Sequence, residues 1–251
     1  MNATAENLNT APVHTAHLIL QGKGGVGKSF IAALIAQYLR SQGRTMACID
    51  TDPVNSTFAG YTDFKVDRIE LMDGGTLNER KFDDVIERVV SEDSDFVIDN
   101  GSASFIPLSN YLVENDAINV LTKNGKRVVI HTVVTGGQAI LDTLAGFKSL
   151  ASQLPENVEL VVWLNEFFGE IEADGKQFEQ MKVYDQHRDR VSGIVRIYRQ
   201  TGSTFGKDVQ LMLDKKMTFD QVAKSETFGL MAKQRLSTVK RAIFEQLSTV
   251  L

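Results

Sequence analysis

One stretch of the chain, residues 22–29 (GKGGVGKS), constrains the possible folds more than any other. It fits the pattern G-x-x-x-x-G-K-[ST], in which backbone N–H groups cradle phosphates and the following helix turns its N-terminus toward their charge. Residues 17–21 (HLILQ) are typical of a short buried strand, and the Ala-rich residues 29–40 are typical of a helix. The sequence therefore predicts a strand, a phosphate-binding loop and a helix, in that order.

The residues of this loop have roles that follow from charge and reach. Glycines let backbone amides approach phosphates closely, Lys28 is expected at the β- and γ-phosphates, and the Ser29 hydroxyl is expected on Mg²⁺. Lys23 lies too early in the loop to fold back easily, so its amine could reach phosphates bound to a second subunit; a solvated loop lysine is the alternative. The predicted nucleotide contacts in the loop are Gly24, Gly25, Val26, Gly27, Lys28, Ser29 and Phe30.

The 251 residues have the composition of a globular chain with a substantial core, since 43% are hydrophobic and 24% are charged. We expect a loose tail over residues 1–15 and one domain over 16–251.

A net charge of −5 argues against binding nucleic acid with the whole surface, although a local basic face stays possible. The single cysteine, Cys48, indicates no disulfide. No run is long enough to cross a bilayer and no signal pattern is present, so we expect a cytoplasmic protein.

Strands alternate with helices along the whole chain, and the strands are continuously apolar. This pattern predicts a three-layer α/β/α fold around a mostly parallel sheet of seven to eight strands, with ligands at the carboxyl ends of the strands. Besides the first strand, strands are predicted at 44–49, 66–71, 95–99, 127–134, 158–164 and 191–197. Helices are predicted at 29–40, 78–90, 105–114, from 139 to about 154, and at 175–190, 206–216 and 229–250.

Three acids follow predicted strands and should therefore lie beside the phosphate loop. Asp99 has the position of an acid that holds Mg²⁺, Asp50 is expected to support the Mg²⁺ shell, and Asp52 is expected to orient the water that attacks the γ-phosphate. Each of them could instead cap the following turn or helix.

The base can be predicted in part. A guanine site would require an Asn-Lys-x-Asp run, which the chain lacks, whereas Asn165 ends a strand on the binding side and could hydrogen-bond adenine. ATP is therefore favoured over GTP. The four histidines have no metal-ligand spacing and no Gly-x-Ser-x-Gly elbow is present, so the sequence indicates neither a zinc site nor a serine hydrolase.

The run KGGVGKS at 23–29 resembles the deviant Walker A motif of the partition and division-site ATPases, a family with the P-loop NTPase fold. The resemblance implies a nucleotide-sandwich dimer in which Lys23 reaches the partner's phosphates. Residues 50–55 (DTDPVN) are similar to the family's Asp-x-Asp-Pro-Gln-x-Asn motif, with Val54 in place of glutamine and one residue fewer. Residues 99–101 (DNG) replace the usual Asp-x-Pro.

Over nearly the whole chain the sequence more closely resembles a family of plasmid conjugal-transfer proteins. This resemblance implies an ATPase-like accessory protein of bacterial conjugation, with conjugation or plasmid-maintenance proteins as partners. The stretches that carry it are 21–29, 48–55, 98–101, 107–109, 131–138, 161–165 and 178–182.

We therefore expect a slowly hydrolysing, ATP-dependent dimerisation switch in which Lys23, Lys28 and Asp52 act on the phosphates and the attacking water. A nucleotide-gated adaptor that binds ATP without turnover stays open, because the motifs depart from the family pattern at Val54 and at 100–101. A small-molecule kinase would need an arginine-rich lid that the sequence does not show. The last helix could contact DNA or lie on a membrane through its cations, or simply pack its apolar stripe on the sheet.

Overall fold

The computed structural model describes residues 13–200 and 204–251. Within them, eleven strands form one large sheet and two small hairpins. In chain order the strands are β1 (Thr15–Ile19), β2 (Met46–Asp50), β3 (Asp67–Arg68), β4 (Met72–Asp73), β5 (Thr76–Leu77), β6 (Asp95–Asp99), β7 (Arg127–Thr135), β8 (Glu159–Asn165), β9 (Glu172–Ala173), β10 (Lys176–Gln177) and β11 (Val191–Ile197).

Nine α-helices are found in the same described ranges. They are α1 (Lys28–Ser41), α2 (Lys81–Ser91), α3 (Phe105–Glu114), α4 (Ala117–Lys123), α5 (Ile140–Gln153), α6 (Lys182–Asp185), α7 (Phe205–Asp214), α8 (Phe219–Lys224) and α9 (Leu230–Val250). Short 3-10 turns lie at Phe58–Gly60, Thr62–Phe64, Gly137–Ala139, Glu166–Phe168, Phe178–Gln180 and Arg188–Arg190.

The large sheet is parallel throughout, with seven described strands in the order β11-β8-β7-β1-β6-β2-β3. Helices cover both faces, because neighbouring side chains of each strand alternate between two apolar cores: Leu18 packs with α2 to α5, and Ile19 packs with α1 and α7 to α9. The first strand, β1, lies between β6 and β7. The loop that follows β1 therefore opens at the point in the sheet from which the later strands are added toward opposite edges. This is where ligands bind in open α/β sheets.

The predicted three-layer α/β/α architecture is therefore confirmed, with seven strands. The elements β6, α3 and β11 begin and end at the predicted residues. Each is delimited by clear local signals, either a continuous apolar run or a turn-forming segment. The last helix packs its apolar stripe inward, since Leu236, Ile243 and Leu247 are buried.

Other parts of the secondary-structure prediction were wrong. Residues 175–190 do not form one helix: they hold β10, the four-residue α6 and two 3-10 turns, because a polar run without helical periodicity has no apolar stripe to bury. The short helices α4 and α8 were missed, and the strand predicted at 66–71 is reduced to β3. Most of the expected tail, residues 1–12, lies outside the described residues, and Thr15 belongs to β1.

A hydrogen-bonded chain of three buried rings crosses β1, β7 and β8 on the α1 face of the sheet. The Trp163 indole N–H lies 3.0 Å from His131 Nδ1, and His131 Nε2 lies 3.0 Å from His17 Nδ1. Because the indole can only donate, His131 must carry its proton on Nε2 and donate it to His17. Both imidazoles are therefore held neutral. Burial lowers the pKa of His17 to about 3 and that of His131 well below 6.5.

These two histidines make the free energy of unfolding decrease as the pH is lowered. Their pKa values are lower in the folded chain than in the unfolded chain, so the unfolded chain binds more protons below pH 6.5 and the free energy of unfolding decreases from there toward pH 3. We expect His17→Gln to make the loss between pH 7.5 and 5.0 smaller by about 1–2 kcal/mol, measured by urea unfolding. Equal losses in the two proteins would contradict a neutral buried pair.

Candidate functional site

The glycine loop between β1 and α1 has a conformation that other residues could not adopt easily. Gly25 and Gly27 have φ values of 74° and 99°, in the left-handed region. A Cβ added to Gly27 would lie 2.8 Å from Asn165 Nδ2. Both the backbone shape and the lack of space therefore require glycine at position 27.

The side chain of Gln21 fixes the start of the loop. It is fully buried, and its amide donates to the carbonyl oxygens of Val133 at 2.7 Å and Thr143 at 3.1 Å. The same side chain fills the space beside Gly146, where any Cβ would collide with it. Sequence reasoning missed Gln21 because a glutamine that ends an apolar strand carries no motif.

A cleft of about 690 Å³ opens over this loop. It runs from the loop toward the ends of β8 and β11 and the side of α9. Eight of the residues predicted to bind nucleotide or act on it line this one cleft: Gly24, Gly25, Gly27, Lys28, Ser29, Phe30, Asp52 and Asn165.

Lys28 lines this cleft, and Asp99 is buried at the end of β6, the strand beside β1. Only 8% of Lys28 is exposed, and its amine donates to the Lys23 carbonyl oxygen at 3.2 Å. Burial lowers the pKa of Lys28, while the carboxylates of Asp99 and Asp52 act in the opposite direction. Burial raises the pKa of Asp99 to about 7, and a hydrogen bond from the Ser29 hydroxyl opposes the rise.

The residues present fit a magnesium ion. The Oδ1 atom of Asp99 is buried and has no hydrogen-bond partner among the described residues, and the Ser29 hydroxyl counters the rise in the pKa of the same carboxyl group. A hard cation that takes oxygen ligands would satisfy the orphaned oxygen and favour the charged carboxylate.

The other two acids hold backbone turns. Both oxygens of Asp50 are occupied, because Oδ1 accepts from the Asp52 N–H at 3.0 Å and Oδ2 from the Ala59 N–H at 2.9 Å. This is the capping alternative that the sequence left open. Asp52 Oδ1 accepts the N–H groups of Val54 and Asn55 at 2.8 and 3.0 Å, while the residue also lines the cleft.

Asn165, predicted to contact adenine, is engaged with the protein itself. Its Nδ2 donates to the Val26 carbonyl oxygen at 2.9 Å, and its Oδ1 accepts the Phe167 N–H at 3.2 Å. Asn165 therefore supports the glycine loop from the neighbouring strand β8. Contact with a base remains a proposal.

The Lys23 amine lies at the outer rim, where it pairs with the Asp142 carboxylate of α5 at 2.8 Å. The two side chains are 43% and 58% exposed. The two lysines of the motif therefore lie in different surroundings. Lys28 is buried and lines the cleft, whereas the Lys23 side chain is exposed to solvent.

The chain matches a known family of nucleotide-binding domains. The family model described as the CobQ/CobB/MinD/ParA nucleotide binding domain matches residues 17–211. The chain belongs to this family. Two proteins from Escherichia coli described as "Protein TraL" are similar to it over 231 residues, at 52% and 49% identity, covering 92% of this chain and 96% of each relative.

Solved structures support the fold. A putative plasmid partition protein from Borrelia burgdorferi bound to AMPPNP has a TM-score of 0.51 at 14% identity, covering 95% of this chain and 100% of its own. The MinD cell division protein of Aquifex aeolicus has a TM-score of 0.50 at 16% identity, with 92% and 98% covered. Membership of the family establishes a nucleotide-binding domain with the P-loop fold.

The contacts of Asn165 generate a prediction that separates its two possible roles. If it positions the loop, Asn165→Ala should weaken Mg²⁺·ATP and the base-free Mg²⁺·tripolyphosphate alike, by about tenfold each for the lost hydrogen bonds. If it only reads the base, tripolyphosphate affinity would stay at the wild-type value. Calorimetric titration of both ligands into both proteins gives the answer, with matched melting temperatures as the control for folding.

Proposed function

We propose that the chain is an ATP-binding protein that hydrolyses ATP slowly and dimerises in response to it. Mg²⁺ is the proposed cofactor, the cytoplasm the proposed location, and accessory function in plasmid conjugal transfer the proposed context. The family and the similarity to the two TraL proteins support this proposal. The observation that carries the dimerisation part is the placement of the two lysines.

Lys23 is free to exchange its partner at little cost. An exposed pair such as Lys23–Asp142 stabilises a protein by about 0–1 kcal/mol. Contact between an ammonium group and a triphosphate in a closed interface is stronger, because the charges are larger and partly desolvated. A second protomer that presented bound ATP at the rim would therefore displace Asp142 from Lys23.

Exposed apolar side chains adjoin the segments that form the site. Val54 lies two residues after Asp52, and Leu141 precedes Asp142. Ile106 follows Phe105, whose ring packs on Gly22. The side chains of Val54, Leu141 and Ile106 are 71%, 72% and 66% exposed. Apolar surface of this kind, beside a charged rim, fits the face through which two copies would associate.

The chain's own groups have distinct parts in the proposed hydrolysis. Lys28 and the loop amides hold the β- and γ-phosphates, and the second oxygen of Asp52 accepts a hydrogen bond from the attacking water. Lys23 of the second copy adds positive charge where charge gathers during the transfer. Magnesium held by Ser29 and Asp99, with Asp50 behind them, would neutralise phosphate oxygens.

The adaptor that binds without turnover has one observation in its favour. Asp52 Oδ1 is committed to two amides of its own loop, which leaves a single oxygen for the attacking water. Phosphate release with candidate conjugation proteins and DNA present separates the two proposals. Sustained release that Asp52→Ala abolishes supports the ATPase, whereas bound ATP that persists under all conditions supports the adaptor.

DNA stays a possible partner only through a local surface. Two of the four cations near the start and middle of α9 are already paired, Arg235 with Asp208 at 2.6 Å and Lys240 with Asp220 at 2.7 Å. None of the helices in the described ranges is long and apolar enough to cross a membrane.

The placement of Lys23 yields a prediction on self-association. We expect Lys23→Ala to abolish the Mg²⁺·ATP-dependent dimer, because the cross-subunit charge is lost, while ATP affinity of the monomer stays within about twofold of wild type. Analytical ultracentrifugation with ATP and with ADP measures the first quantity, and calorimetry at low protein concentration measures the second.

Asp142→Asn is the matched control, since it breaks the same ion pair from the other side. This variant should keep the ATP-dependent dimer and tighten it by at most about 30-fold, because each of the two protomers loses a competing pair worth no more than about 1 kcal/mol. If the Lys23→Ala protein dimerised with ATP as strongly as the wild-type protein does, Lys23 would be only a solvated loop residue.

A further inference from the structure

Two loops at the carboxyl ends of neighbouring strands β2 and β6 are joined by one buried side chain. Asn100 is fully buried, and its Oδ1 accepts the Ser104 hydroxyl at 2.8 Å. The Thr51 hydroxyl lies 3.2 Å from the same Oδ1 atom and 3.0 Å from the Asp99 carbonyl oxygen, so its one proton is shared between these two acceptors. Asn100 Nδ2 donates to the Gly101 carbonyl oxygen at 3.0 Å. Thr51 also donates its backbone N–H to the Asp99 carbonyl oxygen at 2.9 Å, so the loops are bonded at two levels.

Gly101 lies in direct contact with Asp52. A Cβ at position 101 would lie 2.8 Å from the Cγ and Oδ1 atoms of Asp52 and 3.0 Å from its Cα. Any residue with a Cβ, including the proline of the related motif, would therefore push the Asp52 carboxylate or its backbone away. The backbone of Gly101 itself needs no left-handed conformation, so the requirement is for space.

The joined loops also contact the phosphate loop at two points. The Phe105 ring fills the space beside Gly22, where a Cβ would lie 2.9 Å from its Cδ1 atom, and Ser102 Oγ lies 3.4 Å from the Cβ position of Gly24. Ser102 and Phe105 therefore lie directly against the glycine loop.

We propose that residues 51–55 and 100–105 form one unit that sets the position of the Asp52 carboxylate, with Asn100 as its tie and Gly101 as its contact surface. This inference rests on the proposed function and deepens it by naming the residues of this chain that position its proposed catalytic acid. Asn100 and Gly101 are positioning residues, since they act through Asp52.

The test uses Asn100→Ala and Gly101→Ala, with Gly229→Ala as the matched control. Gly229 has no atom within 4 Å of its Cβ position and needs no positive φ. In the nucleotide-free chain we expect both test variants to speed hydrogen exchange of the amides in residues 51–57 by about tenfold, because the hydrogen bonds on Asp52 and Thr51 open more often. Exchange in β8 should match wild type in all three variants.

Turnover gives the second readout. We expect Gly101→Ala to lower kcat by about 10²-fold, as a misplaced catalytic group does, with KM within about twofold of wild type. The double variant with Asp52→Ala should be no slower than Asp52→Ala alone, because the glycine acts only through the acid.

The outcomes distinguish this inference from the proposed function. Unchanged exchange of residues 51–57 in both test variants, or exchange that rises equally across β6 and β8, would overturn the joined unit. Wild-type kcat in Gly101→Ala would overturn the positioning role. If the wild-type chain shows no ATP turnover, the proposed hydrolysis fails, and the exchange measurement on nucleotide-free protein still decides whether the two loops act as one.

Discussion

The site depends on one constraint: the Lys28 amine and the Asp99 carboxyl group are both buried, and their charges act on each other. Lys28 and Asp99 are both removed from water. Burial lowers the pKa of Lys28 and raises the pKa of Asp99, so it favours the neutral form of each. Isolated buried charges are costly, so a chain that keeps them needs something to complete their interactions. In the proposed function, a triphosphate with magnesium would supply an anion for Lys28 and a cation for Asp99.

The rest of the site holds these two charges in place without filling the cleft. Gln21 anchors the glycine loop to β7 and α5, and Asn165 anchors it to β8. Asp50 and Asp52 fold their own loop through backbone N–H groups. These hydrogen bonds preorganise the loop, so that little ordering is required when a nucleotide binds.

Much of the fold and of the site could be predicted because the signals are local. The glycine loop, the acid at the end of β6 and the buried strands depend on spacing and apolar runs that the sequence displays directly. The contacts of Gln21, Asn100 and Asn165 could not be predicted, since each joins segments far apart in the chain. The single helix predicted at 175–190 was wrong for a related reason: a polar run gives no periodicity from which to decide between helix and turns.

Calorimetric titration of Mg²⁺·ATP into the nucleotide-free chain, with Lys28→Ala as the comparison, tests the central claim most directly. We predict saturable binding of one nucleotide per chain, weakened about 10- to 100-fold in the variant by loss of a charge-assisted contact. Absence of binding by the wild-type chain at millimolar nucleotide, or equal affinities in the two proteins, would contradict the account.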